Sequence, residues 1–158
     1  MTCAYYPRKR RSTMNRVIFT LILLAGLASA QTAFDTPFYQ DPAVIKALAS
    51  MWEHQLLGNS KAESSLVIHG RDAASNVILR ACPDTHDYSR ETFSLMPNDK
   101  AIFHTHPNSR ESKPSTADIA IADKYGVEMY VLSKDGLWMY RTGMSSPVLV
   151  IQGTSFLR

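Results

Sequence analysis

Residues 101–125 read AIFHTHPNSRESKPSTADIAIADKY. The first three residues are apolar and predict a short buried strand that runs directly into His104. A polar loop from Pro107 to Pro114 follows, and a helix then extends from Ser115 to about Lys124. The stretch therefore predicts a strand, a turn away from it and a helix, with polar side chains where the strand ends.

A second helix is predicted upstream of this stretch. Asp41 and Pro42 have the residue types of an N-cap and of a first helical position. Apolar residues then recur at helical spacing until Gly58 ends the pattern. The residues of this stripe are Val44, Ile45, Leu48, Met51, Trp52 and Leu56. We expect the whole stripe to pack in the core and to have no chemical role.

The other apolar runs are short and predict strands. They comprise residues 66–68, 76–79, 127–132, 137–140 and 147–152. Asp135-Gly136 predicts a tight hairpin turn, whereas residues 83–99 are polar and predict a long loop. The order helix, strands, helix, strands indicates a single α+β domain. We expect three layers, α-β-α, in which a mixed sheet is the middle layer. The order of the strands in the sheet does not follow from this pattern.

The N-terminal segment has the composition of a secretory signal peptide. Residues 1–30 combine a basic region, an apolar run and the small-residue site Ala28-Ser29-Ala30. Met14 is an alternative start, because the residues after it form a compact signal by themselves. An uncleaved anchor is the alternative, but the 14-residue apolar run of residues 17–30 is shorter than the ~20 residues that span a bilayer. We expect an exported protein, periplasmic or secreted, without a stable membrane anchor after cleavage.

The mature chain is expected to comprise a flexible lead-in over residues 31–40 and a domain over residues 41–158. Residues 1–30 contain five of the 17 basic residues and no acid, so the rest carries 12 basic and 14 acidic residues. The basic balance of the whole chain therefore does not indicate nucleic-acid binding.

Cys82 is the one cysteine beyond the signal, and we expect it to be buried in a strand. A single cysteine cannot form a thiolate cage, so a metal would be held by nitrogen and oxygen.

The end of the predicted strand has the residue types of a zinc site. His104 and His106 are two positions apart, so a strand presents both imidazoles on one face. Asp118 lies in the first turn of the following helix, and three such ligands leave one zinc position open for water. Two ordinary explanations compete with this interpretation. His-x-His can be merely two polar residues, and Ser115-x-x-Asp118 can be a capping box that satisfies backbone N–H groups.

Together these residues resemble the JAMM motif of the JAB/MPN metalloproteases. The matching elements are His104-Thr105-His106-Pro107, seven intervening residues and Ser115-x-x-Asp118. The family includes zinc-dependent isopeptidases that remove ubiquitin, and bacterial and phage relatives that act on other amides. The resemblance covers roughly residues 43–141, and it implies the JAB/MPN-like, cytidine-deaminase-like layout of a mixed sheet between helices.

The family motif also has an upstream glutamate before an apolar strand that contains a glycine. Glu63 matches that glutamate, although Ser65 stands where a glycine is usual. Glu53 is the rival acid, but it lies inside the predicted first helix, whereas Glu63 leads into a strand. We therefore prefer Glu63.

The resemblance implies a role for each of these residues. His104, His106 and Asp118 would bind one Zn²⁺ per chain, which lowers the pKa of its water and polarises the scissile carbonyl. Glu63 would be the general base and then the general acid. Ser115 would hydrogen-bond the tetrahedral oxyanion, or hold the water.

The expected function is zinc-dependent hydrolysis of a peptide or isopeptide bond. An exported protein would meet a peptide, protein or cell-wall peptide substrate. Arg110 and Lys113 can either pair with an acidic group of that substrate or be solvated loop charges. A non-catalytic JAB/MPN-like binding or scaffold module is the main alternative. A zinc deaminase would need a Pro-Cys-x-x-Cys pair, which this chain does not have.

Overall fold

The computed structural model of the protein describes residues 36–81 and 95–158. The predicted signal peptide, Met14 and Cys82 lie outside the described residues, as do the first half of the lead-in and most of the predicted 83–99 loop. Residues 37–158 belong to one compact unit. Phe38–Gln40, which the sequence pattern assigned to a flexible lead-in, forms a 3-10 turn, and Phe38 and Tyr39 pack against the core.

Six strands form one mixed sheet. They are β1 (Ser65–Arg71), β2 (Val77–Ala81), β3 (Ala101–Thr105), β4 (Glu128–Ser133), β5 (Gly136–Tyr140) and β6 (Val148–Gln152). Their order in the sheet is β2-β1-β3-β4-β5-β6. In the described part of the chain, β3 and β4 pair in parallel, and the other neighbouring strands pair antiparallel. A parallel pair needs a crossover connection, which here contains the second helix.

Two helices accompany the sheet: α1 (Pro42–His54) and α2 (Thr116–Tyr125). The predicted cap of α1 is confirmed, since the Asp41 carboxylate accepts from the Ala43 N–H at 3.0 Å. In the described ranges, neither helix combines the length and the apolar character that a membrane span requires.

Each helix packs on a different face of the sheet, because side chains alternate between the two faces along every strand. The α1 face contains Val44, Leu48, Trp52, Leu66, Ile68, Ala101, Phe103, Tyr130, Leu132 and Leu137. The α2 face contains Val67, Ile102, Ala122, Val127, Met129 and Tyr140. The prediction of a mixed sheet in an α+β domain is therefore confirmed.

The end of α1 differs from the prediction. The helix stops at His54, and Leu56–Gly58 forms a 3-10 turn in which Leu56 and Leu57 have positive φ angles. Leu56 was predicted in the core stripe and this was wrong, since its side chain is 65% exposed. The physical reason is the early helix end: Gln55 turns inward and donates to the Ser64 hydroxyl, so the helical periodicity no longer applies at Leu56.

The predicted hairpin between β4 and β5 is confirmed. Gly136 closes it with a φ of 128°, a conformation that side chains with a Cβ rarely adopt. A Cβ at this position would clash with the carbonyl oxygen of Ile151. The turn therefore requires glycine for both its conformation and its contact with the strand that follows.

Asp99, just before β3, forms hydrogen bonds with β1, with β2 and with the turn that it belongs to. Its carboxylate accepts from Met96 N–H at 2.7 Å, from Arg80 at 2.6 Å and from His69 Nδ1 at 2.8 Å. Burial alone would raise the pKa of this carboxyl, but these donors and the Arg80 charge hold it below its usual value. His69 lies near the end of β1 that is farther from Ser65.

Candidate metal centre

The candidate centre lies where β1 begins and β3 ends. Ser65 pairs with His104 across these strands, and Ser64 and Thr105 exchange hydrogen bonds next to this pair, each at 3.0 Å. The pairing therefore continues beyond the strand ends and holds Glu63 near His106. Alternation along each strand puts both residues on the α2 face of the sheet, together with Ser65 and His104.

The two imidazoles face each other, as the His-x-His spacing predicts. His104 Nε2 and His106 Nε2 are 3.1 Å apart, and both side chains are buried. On the other side of its ring, His106 Nδ1 lies 2.7 Å from the Glu111 carbonyl oxygen. A carbonyl only accepts, so Nδ1 carries the proton and Nε2 of the neutral ring presents its lone pair to the site. Burial and the neighbouring His104 lower the pKa of His106, which favours this neutral form.

Asp118 joins the histidines through the start of α2. Its Oδ1 is 3.5 Å from His104 Nε2, and its Oδ2 is 3.7 Å from His106 Nε2. Burial alone would raise the pKa of this carboxyl. The bond with His104, the His104 charge and the two bonds from Ser115 outweigh burial and hold the pKa far below its usual value. The carboxylate is therefore charged and available to a cation.

The capping box is also present. The Ser115 hydroxyl accepts from Asp118 N–H at 3.3 Å, and Asp118 Oδ2 accepts from Ser115 N–H at 2.7 Å and from the Ser115 hydroxyl at 2.6 Å. The cap uses Oδ2, whereas Oδ1 is the oxygen nearest to His104 Nε2. Capping would therefore be compatible with metal binding, because the cap leaves Oδ1 of the carboxylate for a cation. The cap also restricts how the carboxylate can turn.

Removing the cap should weaken the fold by a small and measurable amount. We expect Ser115→Ala to lower the free energy of unfolding by about 1 kcal/mol, the typical cost of a lost N-cap. Ser115→Thr is the matched control, because threonine keeps the capping oxygen. Urea denaturation followed by circular dichroism gives both values. An alanine variant as stable as the threonine variant would show that the cap contributes nothing.

Glu63, not Glu53, lies at the histidine pair. Glu63, His104 and His106 form a group that could hold a metal ion, with their ligand atoms within 4.8 Å of one another. Glu53 is an exposed residue of α1, which packs on the other face of the sheet. The Glu63 carboxylate also pairs with Arg110, whose Nη1 is 2.9 Å from Oε1.

The spacing of the donors suits a tetrahedral ion. Two nitrogens bound to zinc at 2.0–2.1 Å and at a tetrahedral angle are about 3.3 Å apart. The two imidazole nitrogens are 3.1 Å apart, and Asp118 Oδ1 is 3.5 Å from the nearer one. Two neutral imidazoles and one carboxylate are also a donor set that zinc accepts in catalytic sites. The residues present therefore fit such an ion without a large rearrangement.

Ser65, which stands where the resembled motif has a glycine, adds a polar group to this face. Its hydroxyl is buried, with the residue 5% exposed, and it has no hydrogen-bond partner among the residues that the structure describes. Its place opposite His104 puts a small side chain next to the imidazole. A serine at this position is therefore compatible with the arrangement of the histidine pair.

Sequence reasoning did not find two contacts of the centre. The Glu111 carbonyl that orients His106 is a backbone group, which no residue pattern reveals. Arg110 had two open interpretations, and its contact with Glu63 joins residues 47 positions apart in the chain. The charge of Arg110 and its place between the two halves of the motif were the available signals.

No family model, curated protein or solved structure with significant similarity to this chain was found.

Proposed function

We propose that this protein is an exported zinc-dependent hydrolase of peptide or isopeptide bonds, of the JAMM type. The observation that carries the proposal is the buried pair of imidazoles, 3.1 Å apart at Nε2, with the capped Asp118 carboxylate and the Glu63 carboxylate both close to it. Buried polar groups are costly unless they are satisfied. Three buried polar groups next to a partly buried carboxylate therefore favour a functional site over a structural one.

We assign His104, His106 and Asp118 as the zinc ligands. Asp118 is preferred over Glu63 as the third ligand because the capping box holds it in place, and a ligand that is already ordered loses less entropy on binding. Glu63 instead pairs with an exposed arginine, so it can change position at low cost. A zinc ion bound by this set would supply an acidified water and polarise the scissile carbonyl.

Glu63 then has the position of the general base. Its carboxylate lies next to the ligand nitrogens without being held by a helix cap. It would accept a proton from the attacking water and pass it to the nitrogen of the departing amine. No covalent intermediate on a side chain is needed for this sequence of transfers.

Ser115 is the candidate donor to the oxyanion, and its hydrogen now goes to Asp118 Oδ2. A hydroxyl has one hydrogen, so this role requires the hydroxyl to rotate away from Asp118 during the reaction. If it does so, Ser115→Ala lowers the rate by about 10²–10³-fold, the usual effect of losing one oxyanion donor.

The substrate class follows from the expected export. A periplasmic or secreted enzyme of this type would act on cell-wall peptide crosslinks or on secreted protein tails. The test is a panel of crosslinked muropeptides and isopeptide-linked proteins, with the purified protein before and after chelation. We expect about one zinc per chain, hydrolysis of at least one substrate, loss of activity with chelator and its return with added zinc. Bound zinc without hydrolysis across the panel would favour the non-catalytic module.

A further inference from the structure

Arg110 places a positive charge at the edge of the candidate centre. It lies in the loop of residues 107–114 between β3 and α2, and its guanidinium reaches Glu63. The side chain of Arg110 is 41% exposed and that of Glu63 is 14% exposed. The guanidinium is therefore accessible to a molecule that approaches the centre from solvent.

The backbone around Arg110 is held on both sides. Before it, Asn108 N–H donates to the Gly58 carbonyl at 2.7 Å, and the Asn108 side chain donates to Leu57 at 3.1 Å. After it, the Glu111 carbonyl accepts from His106. Arg110 N–H itself donates to the Pro107 carbonyl at 2.9 Å. A cation on a fixed backbone next to a ligand histidine is placed in advance for binding, which lowers the entropy lost when a ligand arrives.

The other cation of the loop is arranged differently. Lys113 pairs at 3.0 Å with Glu111, its near neighbour in the chain, and both side chains are exposed. Such a pair is an ordinary surface contact that contributes little to stability. Arg110 is thus the cation of this loop that contacts the candidate centre, and Lys113 serves as its natural control.

The pair of Arg110 and Glu63 is suited to exchange. Ion pairs that are open to solvent contribute little to stability, so another carboxylate can displace Glu63 at little cost. A guanidinium also binds a carboxylate through two parallel hydrogen bonds.

We infer that Arg110 is the specificity residue of this centre and binds a carboxylate of the substrate in exchange for Glu63. The inference rests on the proposed function. The guanidinium lies within about 10 Å of the histidine nitrogens, given its distance from Glu63 and the spread of the ligand atoms. An extended peptide advances about 3.3 Å per residue. The substrate therefore carries a carboxylate, terminal or on a side chain, within about three residues of the scissile bond.

Binding of small probes tests this inference without a known substrate. The probes are acetyl-alanyl-alanine with a free carboxylate, its C-terminal amide, and acetyl-aspartyl-alaninamide, which carries its carboxylate on a side chain. Calorimetric titration of the purified protein, with and without zinc, gives the affinities. We expect at least one acidic probe to bind about tenfold or more tightly than the amide, as for a charge-assisted hydrogen bond. The better of the two shows whether the carboxylate is terminal.

Two variants assign the preference to Arg110. Arg110→Ala should reduce the ratio of acid to amide affinity to within about twofold, and Lys113→Ala should leave it unchanged. A preference that survives in Arg110→Ala would mean that the carboxylate binds elsewhere, for example on the zinc. That result overturns the inference. Equal binding of the three probes by the unmodified protein also overturns it, as does the failure of every probe to bind that protein at millimolar concentration. Failure of the proposed function shows separately, as absence of chelator-sensitive hydrolysis.

Discussion

We expect Glu63→Gln to leave the zinc content of the protein unchanged and to lower its rate of hydrolysis by about 10²–10⁴-fold, the usual contribution of a general base. Glutamine keeps the size and much of the hydrogen bonding of glutamate but cannot accept a proton at neutral pH. The measurement combines metal analysis of the purified variant with the rate on the best substrate of the panel. The variant also loses the ion pair with Arg110, which at an exposed site costs little stability.

Glu53→Gln is the matched control for this variant. Glu53 was the rival acid in the sequence and is exposed on α1, on the other side of the sheet. We expect its substitution to change neither zinc content nor rate. Full activity in Glu63→Gln would assign the base to another residue. Loss of zinc in that variant would instead make Glu63 a ligand, in agreement with its place in the group with His104 and His106.

His106→Ala and Asp118→Ala should each abolish stoichiometric zinc binding. Loss of an outer partner of a ligand typically lowers metal affinity 10–100-fold, and loss of a ligand itself should exceed that. Competition with a chromophoric chelator measures the affinity of each variant. His69→Ala is a matched histidine control, because His69 pairs with Asp99 away from the centre and should keep one zinc per chain.

Asp118 needs a further control because it also caps α2. Ser115→Ala removes the capping hydroxyl and keeps the Asp118 carboxylate, so it separates the loss of the cap from the loss of a ligand. We expect zinc to remain in Ser115→Ala and to be lost in Asp118→Ala. Zinc retained in both His106→Ala and Asp118→Ala would leave the capping box as the whole explanation of the Ser115-x-x-Asp118 pattern.

Much of the local structure was predictable because the signals act over a few residues. The Asp41 cap, the glycine at the β4–β5 turn and the start of α2 at Ser115 were all predicted from neighbouring residue types. The alternation of side chains in a strand likewise predicted that His104 and His106 face the same way. The same kind of reasoning failed at Leu56, because the end of α1 depends on Gln55 contacting Ser64.

The sequence by itself identified the candidate metal ligands, and it determined that two of them share a strand face while Asp118 follows at a helix start. The sequence also favoured Glu63 over Glu53, but only the tertiary structure brings one of these acids to the histidines. Pairing of β1 with β3 brings Glu63 to the histidines. The proximity of Glu63 to the histidines depends on the order of the strands in the sheet, and the spacing of residues along the chain does not reveal it. The contact of Arg110 with Glu63 arises in the same way. So does the arrangement of Asp118, in which Oδ2 forms the helix cap and Oδ1 lies nearest to His104 Nε2. Each depends on distances between segments that come together only when the sheet and α2 have formed.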